Sequence, residues 1–80
     1  MKYIVIELQK DAYGLVSHLL SVHDTLEKAE STYYSILAAA AISTIPVHGA
    51  IIIDEQGNPL KNNHYTHKAK PEDEQTAPNE

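Results

Sequence analysis

The 80-residue chain has no cysteine, no arginine, no tryptophan and no phenylalanine. Without cysteine there can be neither a disulfide nor a thiolate metal ligand, and a reducing, cytoplasmic compartment is the expected setting. Without arginine the chain lacks the planar fork that grips phosphates with two charge-assisted hydrogen bonds at once. Its six cationic side chains, all lysine, face eleven carboxylates for a formal net charge of −5, so nucleic acid is not an expected partner. Long apolar runs are missing too. The N-terminal MKYIVIELQ is a brief alternation with no long hydrophobic stretch, and neither a signal peptide nor a membrane span is expected from it.

Polar residues dominate after Lys68, where Pro71 and Pro78 are set among charged and amide side chains. This composition cannot offset its own ordering entropy, so residues 68–80 are expected to form a disordered acidic tail. Residues 1–67 are left to make a single domain, and roughly 65 residues bury only a marginal core. Domains of this size usually rely on disulfides, a metal or an oligomer, and the first is excluded here.

Period-two alternation marks the strands. Residues 2–9 set Ile4, Ile6 and Leu8 against Tyr3, Val5 and Glu7, and a charged, glycine-containing stretch through Gly14 then reads as a hairpin loop. Residues 15–23 alternate again as a second strand. Asp24 offers an N-cap with Glu27 three residues on, predicting a helix that starts there and runs to about Ser43, ended by Pro46. Its core stripe is expected to be Leu26, Ala29, Tyr33, Ile36 or Leu37, and Ala40. Residues 47–54 are apolar on both faces, as suits a central strand. After a turn at Glu55 to Asn58, residues 60–67 make a polar edge strand. The reading is an α+β fold: a small β-β-α-β-β domain, an antiparallel sheet with one helix on one face. No internal repeat is evident.

From Tyr33 onward the helix is apolar nearly all round. Tyr34, Ala38, Ala41 and Ile42 extend beyond the core stripe, which predicts a partner subunit of the same chain on that side. Gly49, inside the third strand, marks a close backbone approach or a bulge, most simply a close contact with the alanine-rich helix.

Candidate sites are weighed against plainer roles. His64 and His67 are the closest histidine pair, but three-residue spacing on a strand sends their side chains to opposite faces, so no metal site is expected. His18 and His23 near Asp24 lack a nucleophile in line, because Ser17 and Ser21 share the face opposite His18. The three glycines lie in separate segments and form no phosphate loop. No catalytic residue and no cofactor are expected, and the protein reads as a non-enzyme.

MKYIVIELQ, HDTLEKAESTYYSILAAAAIS, IPVHGAIII, EQG and YTH together resemble small uncharacterised proteins of phages and prophages of Firmicutes, over about residues 1–67. This resemblance rests on Ala29-Glu30-Ser31, Tyr33, the alanines from Ala38 to Ala41, Pro46-Val47-His48 and Tyr65-Thr66-His67. It implies a mobile-element origin and brings no catalytic motif. Where relatives carry an acidic aromatic pair before the helix, this chain has His23-Asp24. The expected function is that of a phage accessory protein acting by binding as a homo-oligomer. Such a protein would sequester a nucleotide-type host immune signal or block a host defence protein, with His48, Tyr65 and His67 as ligand-binding residues. Two alternatives stand beside it: a virion-associated structural or assembly protein without a ligand, and a small histidine-dependent metalloprotein.

Overall fold

The structure is a computed structural model and describes residues 1–68; the acidic tail expected beyond Lys68 lies outside the described residues. Four strands and one helix follow in the order β1 (Tyr3–Lys10), β2 (Val16–His23), α1 (Leu26–Ala41), β3 (Val47–Asp54) and β4 (Pro59–Thr66). All neighbouring strands are antiparallel, and the sheet order is β2-β1-β3-β4. The α+β fold and the helix on one face match the sequence reading, with β3 central and the polar β4 at an edge.

Both hairpins close on the same local chemistry. The Asp11 carboxylate accepts the N–H groups of Tyr13 at 2.8 Å and Leu15 at 2.9 Å, and the Asp54 carboxylate accepts those of Gln56 and Asn58 at 2.9 Å each. Each turn then needs a left-handed residue three positions after its aspartate, and glycine fills it: Gly14 has φ +87° and Gly57 φ +88°. The same turn is therefore used twice, a repeat that the sequence reading missed because only the aspartate and the glycine recur.

Helix α1 starts one residue later than predicted. Thr25, not Asp24, is the N-cap and accepts the Lys28 N–H at 3.2 Å. Asp24 pairs instead with the Lys2 ammonium, which lowers the aspartate pKa and raises that of the lysine. The helix also ends sooner than predicted, at Ala41, with Ile42 as its C-cap. Its buried stripe is Ala29, Tyr33, Leu37 and Ala40, while Leu26 and Ile36 are half-buried. Val5, Ala50 and Ile52 meet that stripe from the sheet. Register puts these three on one face with Tyr3, Glu7 and His48. Burial pushes the Tyr33 phenol pKa up.

The opposite face carries Ile4, Ile6 and Leu8 from β1, Val16, Leu20 and Val22 from β2, and Val47, Ile51 and Ile53 from β3. No element of the described chain lies over it. Its outer members stand well into solvent, Leu20 at 56% and Val22 at 63% exposed. The one irregularity of the sheet is a bulge at Leu60, where the pairing shifts between Ile52 and Ile53.

Gly49 belongs to this open face, which corrects the expectation that it makes room for the helix. It lies directly opposite His64 on β4, and an added Cβ would stand 2.5 Å from His64 Cβ and 2.6 Å from the Asn63 carbonyl oxygen. Backbone and a Cβ cannot swing aside. Gly49→Ala is expected to cost about 1–3 kcal/mol by overpacking, read as a lower thermal midpoint; an unchanged midpoint would contradict this close approach.

The Asp54 turn also sets an acid sensitivity. Hydrogen bonds from the Asn58 N–H first, then from the Asn58 side chain and the Gln56 and Gly57 N–H groups, hold its carboxyl below the ordinary 3.8. A depressed folded pKa means stability that is present above the ordinary value and lost as pH falls through the lowered one. Asp54→Asn should lower the melting temperature at neutral pH and shrink the gap between wild type and variant below pH 3.8, as thermal melts across that range will show.

Candidate functional site

The polar side chains of the helix-facing side gather where α1 ends. His48, on β3, is 4% exposed, and both of its ring nitrogens are occupied. Nε2 lies 2.6 Å from the Glu7 carboxylate on β1, and Nδ1 lies 3.0 Å from the Ser43 hydroxyl in the segment after the helix. A carboxylate only accepts, so Nε2 carries the hydrogen. Gln9 donates to the same carboxylate at 3.1 Å; its 3.5 Å approach to His48 Nε2 is no bond, because both nitrogens carry hydrogens.

Ser43 can serve the ring in either protonation state. Its hydroxyl donates to Nδ1 of a neutral imidazole. Against an imidazolium it accepts from Nδ1–H and turns its own hydrogen to the Ala40 carbonyl, 3.3 Å away. The network thus joins β1, β3 and the end of α1 in one chain of hydrogen bonds.

His67 completes the helix end from the far edge of the sheet. A helix leaves its last carbonyls without partners, and no basic residue stands in the last turn of α1. His67 Nε2–H donates to the Ala40 carbonyl at 2.7 Å, and its backbone N–H donates to the Pro46 carbonyl at 2.7 Å. Its ring stacks near-parallel on Tyr65, with centroids 6.4 Å apart. An imidazole at this position also sits favourably against the negative end of the helix dipole.

The sequence-derived trio therefore shares one region: Tyr65 is the cross-strand partner of His48, and His67 follows two residues on. Their roles differ. His48 faces inward with its ring enclosed, His67 is committed to the helix end, and Tyr65 keeps 39% of its surface exposed. Ser43 and Glu7 went unnoticed in the sequence, since they reach His48 across 5 and 41 residues of chain. Ser43, His48 and Glu7 form the line of groups that a nucleophilic hydrolase uses. Here the hydroxyl oxygen is also held by the Ile45 N–H at 3.4 Å, and the imidazole between it and the carboxylate is shut off from solvent. Through these bonds the arrangement ties the segment after the helix to the sheet.

The residues expected on a subunit interface lie on the outer side of α1. Tyr34 is 52% exposed, packs edge-on against Tyr33 at 5.0 Å and has the Lys61 ammonium 5.8 Å above its ring. Ala38 and Ala41 are exposed, and Ile42 is 86% exposed. His64 is on the open face and His67 on the helix side, and among the described residues no three His, Asp or Glu side chains gather as metal ligands would. Among the same residues, no helix is long and apolar enough to cross a membrane.

Recesses mark the surface of the described residues. One of about 90 Å³ lies on the β1–β2 hairpin, against Glu7, Gln9, Ser17 and Leu19. Another, about 370 Å³, lies over Gly49 between Leu8, Val47, Ile51 and His64.

Removing the His48 ring should leave both the Glu7 carboxylate and the Ser43 hydroxyl without their partner, together with a cavity. His48→Ala is expected to cost about 2–4 kcal/mol, measured by urea denaturation; a cost under about 0.5 kcal/mol would mean that the bridge contributes nothing. Comparison of the chain with family models, curated proteins and solved structures gives no match.

Proposed function

We propose that the protein acts by binding rather than by catalysis, as an accessory protein of a phage or related mobile element, and that its working form is a homo-oligomer. The observation that carries this reading is the imbalance between core and surface. Among the described residues the fully buried large side chains are only Val5 and Ile52, whereas the second face of the same sheet leaves Val16, Leu20 and Val22 more than half exposed. A chain of this length that hides so little and exposes so much apolar surface gains its stability from association.

Of the two targets suggested by the sequence, a host defence protein fits better than a nucleotide-type signal. Lys2 is paired with Asp24 and Lys61 with Glu30, both ring nitrogens of His48 are in use, and the larger recess is walled mainly by aliphatic groups. An anionic ligand would meet little free positive charge there. A protein surface needs none.

Light scattering on the purified full chain at micromolar concentration is expected to give a multiple of the single-chain mass, and a monodisperse monomer would overturn the oligomer reading. Calorimetric titration with cyclic and linear nucleotides should give no heat, while purified host defence proteins should form a complex. Heat with a nucleotide would transfer the target to the small-molecule class.

A further inference from the structure

Nothing in the described chain covers the open face of the sheet, and its dimensions suit a definite kind of partner. Four strands spaced by about 4.8 Å and eight residues rising about 3.3 Å each give a plane of roughly 500 Å². Two such planes together hide roughly 1,000 Å² before side-chain relief is counted, which is where stable protein interfaces begin. The outer side of α1 offers no comparable plane, since Glu27, Lys28, Ser31 and Ser35 interrupt its exposed apolar residues.

Charge narrows the choice of partner. The chain is acidic overall, yet no strand position directed to this face holds aspartate or glutamate. Lys10 and His18 lie towards one end of the β1–β2 hairpin. Two copies of the face can thus meet without burying any carboxylate, the group whose desolvation would otherwise oppose association of an acidic chain with itself.

Relief points the same way. Leu20 stands out from β2 at 56% exposure, and the 370 Å³ recess bordered by Leu8, Val47 and Ile51 lies two strands away on the same surface. A protrusion and a recess on one face are what a two-fold interface needs, because each copy then offers its protrusion to the recess of the other. From area, charge and relief together, we infer that the open face seats a second copy of this chain. The two sheets pack face to face about a two-fold axis, roughly 10 Å apart, with the helices on the two outer surfaces. This inference rests on the homo-oligomer reading and names the surface that makes it. The Tyr34 side of the helix is thereby left free for the target.

Because the chain has no cysteine, single-cysteine variants test the arrangement directly. In the assembled protein Leu20→Cys should react with a maleimide at least about tenfold more slowly than Ala38→Cys on the outer side of the helix, and should speed up on dilution. Leu20→Lys should reduce the mass in solution to that of one chain. If this variant does not fold, the labelling rates still decide the matter. An assembly in which Ala38→Cys is protected and Leu20→Cys is open would overturn the face assignment and leave the oligomer reading standing. A single-chain mass with both cysteines equally reactive would remove both.

Discussion

Val5 and Ile52 face each other across β1 and β3, and both are closed to solvent. Everything on the helix side is arranged around this pair. Tyr33 and Leu37 of α1 lie with it in one apolar cluster, and Ala29 and Ala40, both fully buried, keep the helix axis low over the sheet. Large residues at those two positions would lift the helix and break the contact that excludes water from the pair. The helix length follows, because sixteen residues carry it along the strands to the end where His48 waits.

At that end the polar contacts set orientation more than they add to the core. A helix packed through small side chains can slide and rotate at little cost. Here its last turn is fixed by contacts from two directions: Ser43 to His48 and Glu7 on one side, the Ala40 carbonyl to His67 on the other. A buried imidazole with both nitrogens bonded is satisfied, so it adds specificity without an unpaired group. The edge strand β4, polar as it is, thus earns its place through the residue that follows it.

Much of this architecture was legible in the chain. Strand alternation gave all four strands to within a residue or two, and apolar character on both faces distinguished the central β3 from the polar β4. The helix start was misread by one residue because Asp24 and Thr25 are both good N-caps; the choice is settled by Lys2, which draws Asp24 away from 22 residues up the chain. Gly49 was recognised as a close approach but given the wrong neighbour, since a glycine does not state which face it serves. Surplus apolar surface was also read as a sign of association, and the reading placed it on the helix. The sheet's share was visible as well: Ile4, Ile6, Leu20 and Ile51 are on a second apolar face that one helix cannot reach. Glu7 and Ser43 had no local signature at all, being made meaningful only by the fold that delivers them to His48.

The twin aspartate-glycine turns have a consequence for shape. Because β1–β2 and β3–β4 close with the same turn at opposite ends of a sheet whose two inner strands are antiparallel, the hairpins are related by an approximate internal dyad through its middle. The single helix destroys this relation on its own side. On the open side it survives as a pairing of like positions, Leu8 with Ile51 and Ile6 with Gly49, disturbed by the loss of one side chain and by the bulge at Leu60. The surface therefore has a handedness in how it can be met: turned half about its own normal, it sets the apolar Leu20 and Val22 of β2 where His64 and Thr66 of β4 had been.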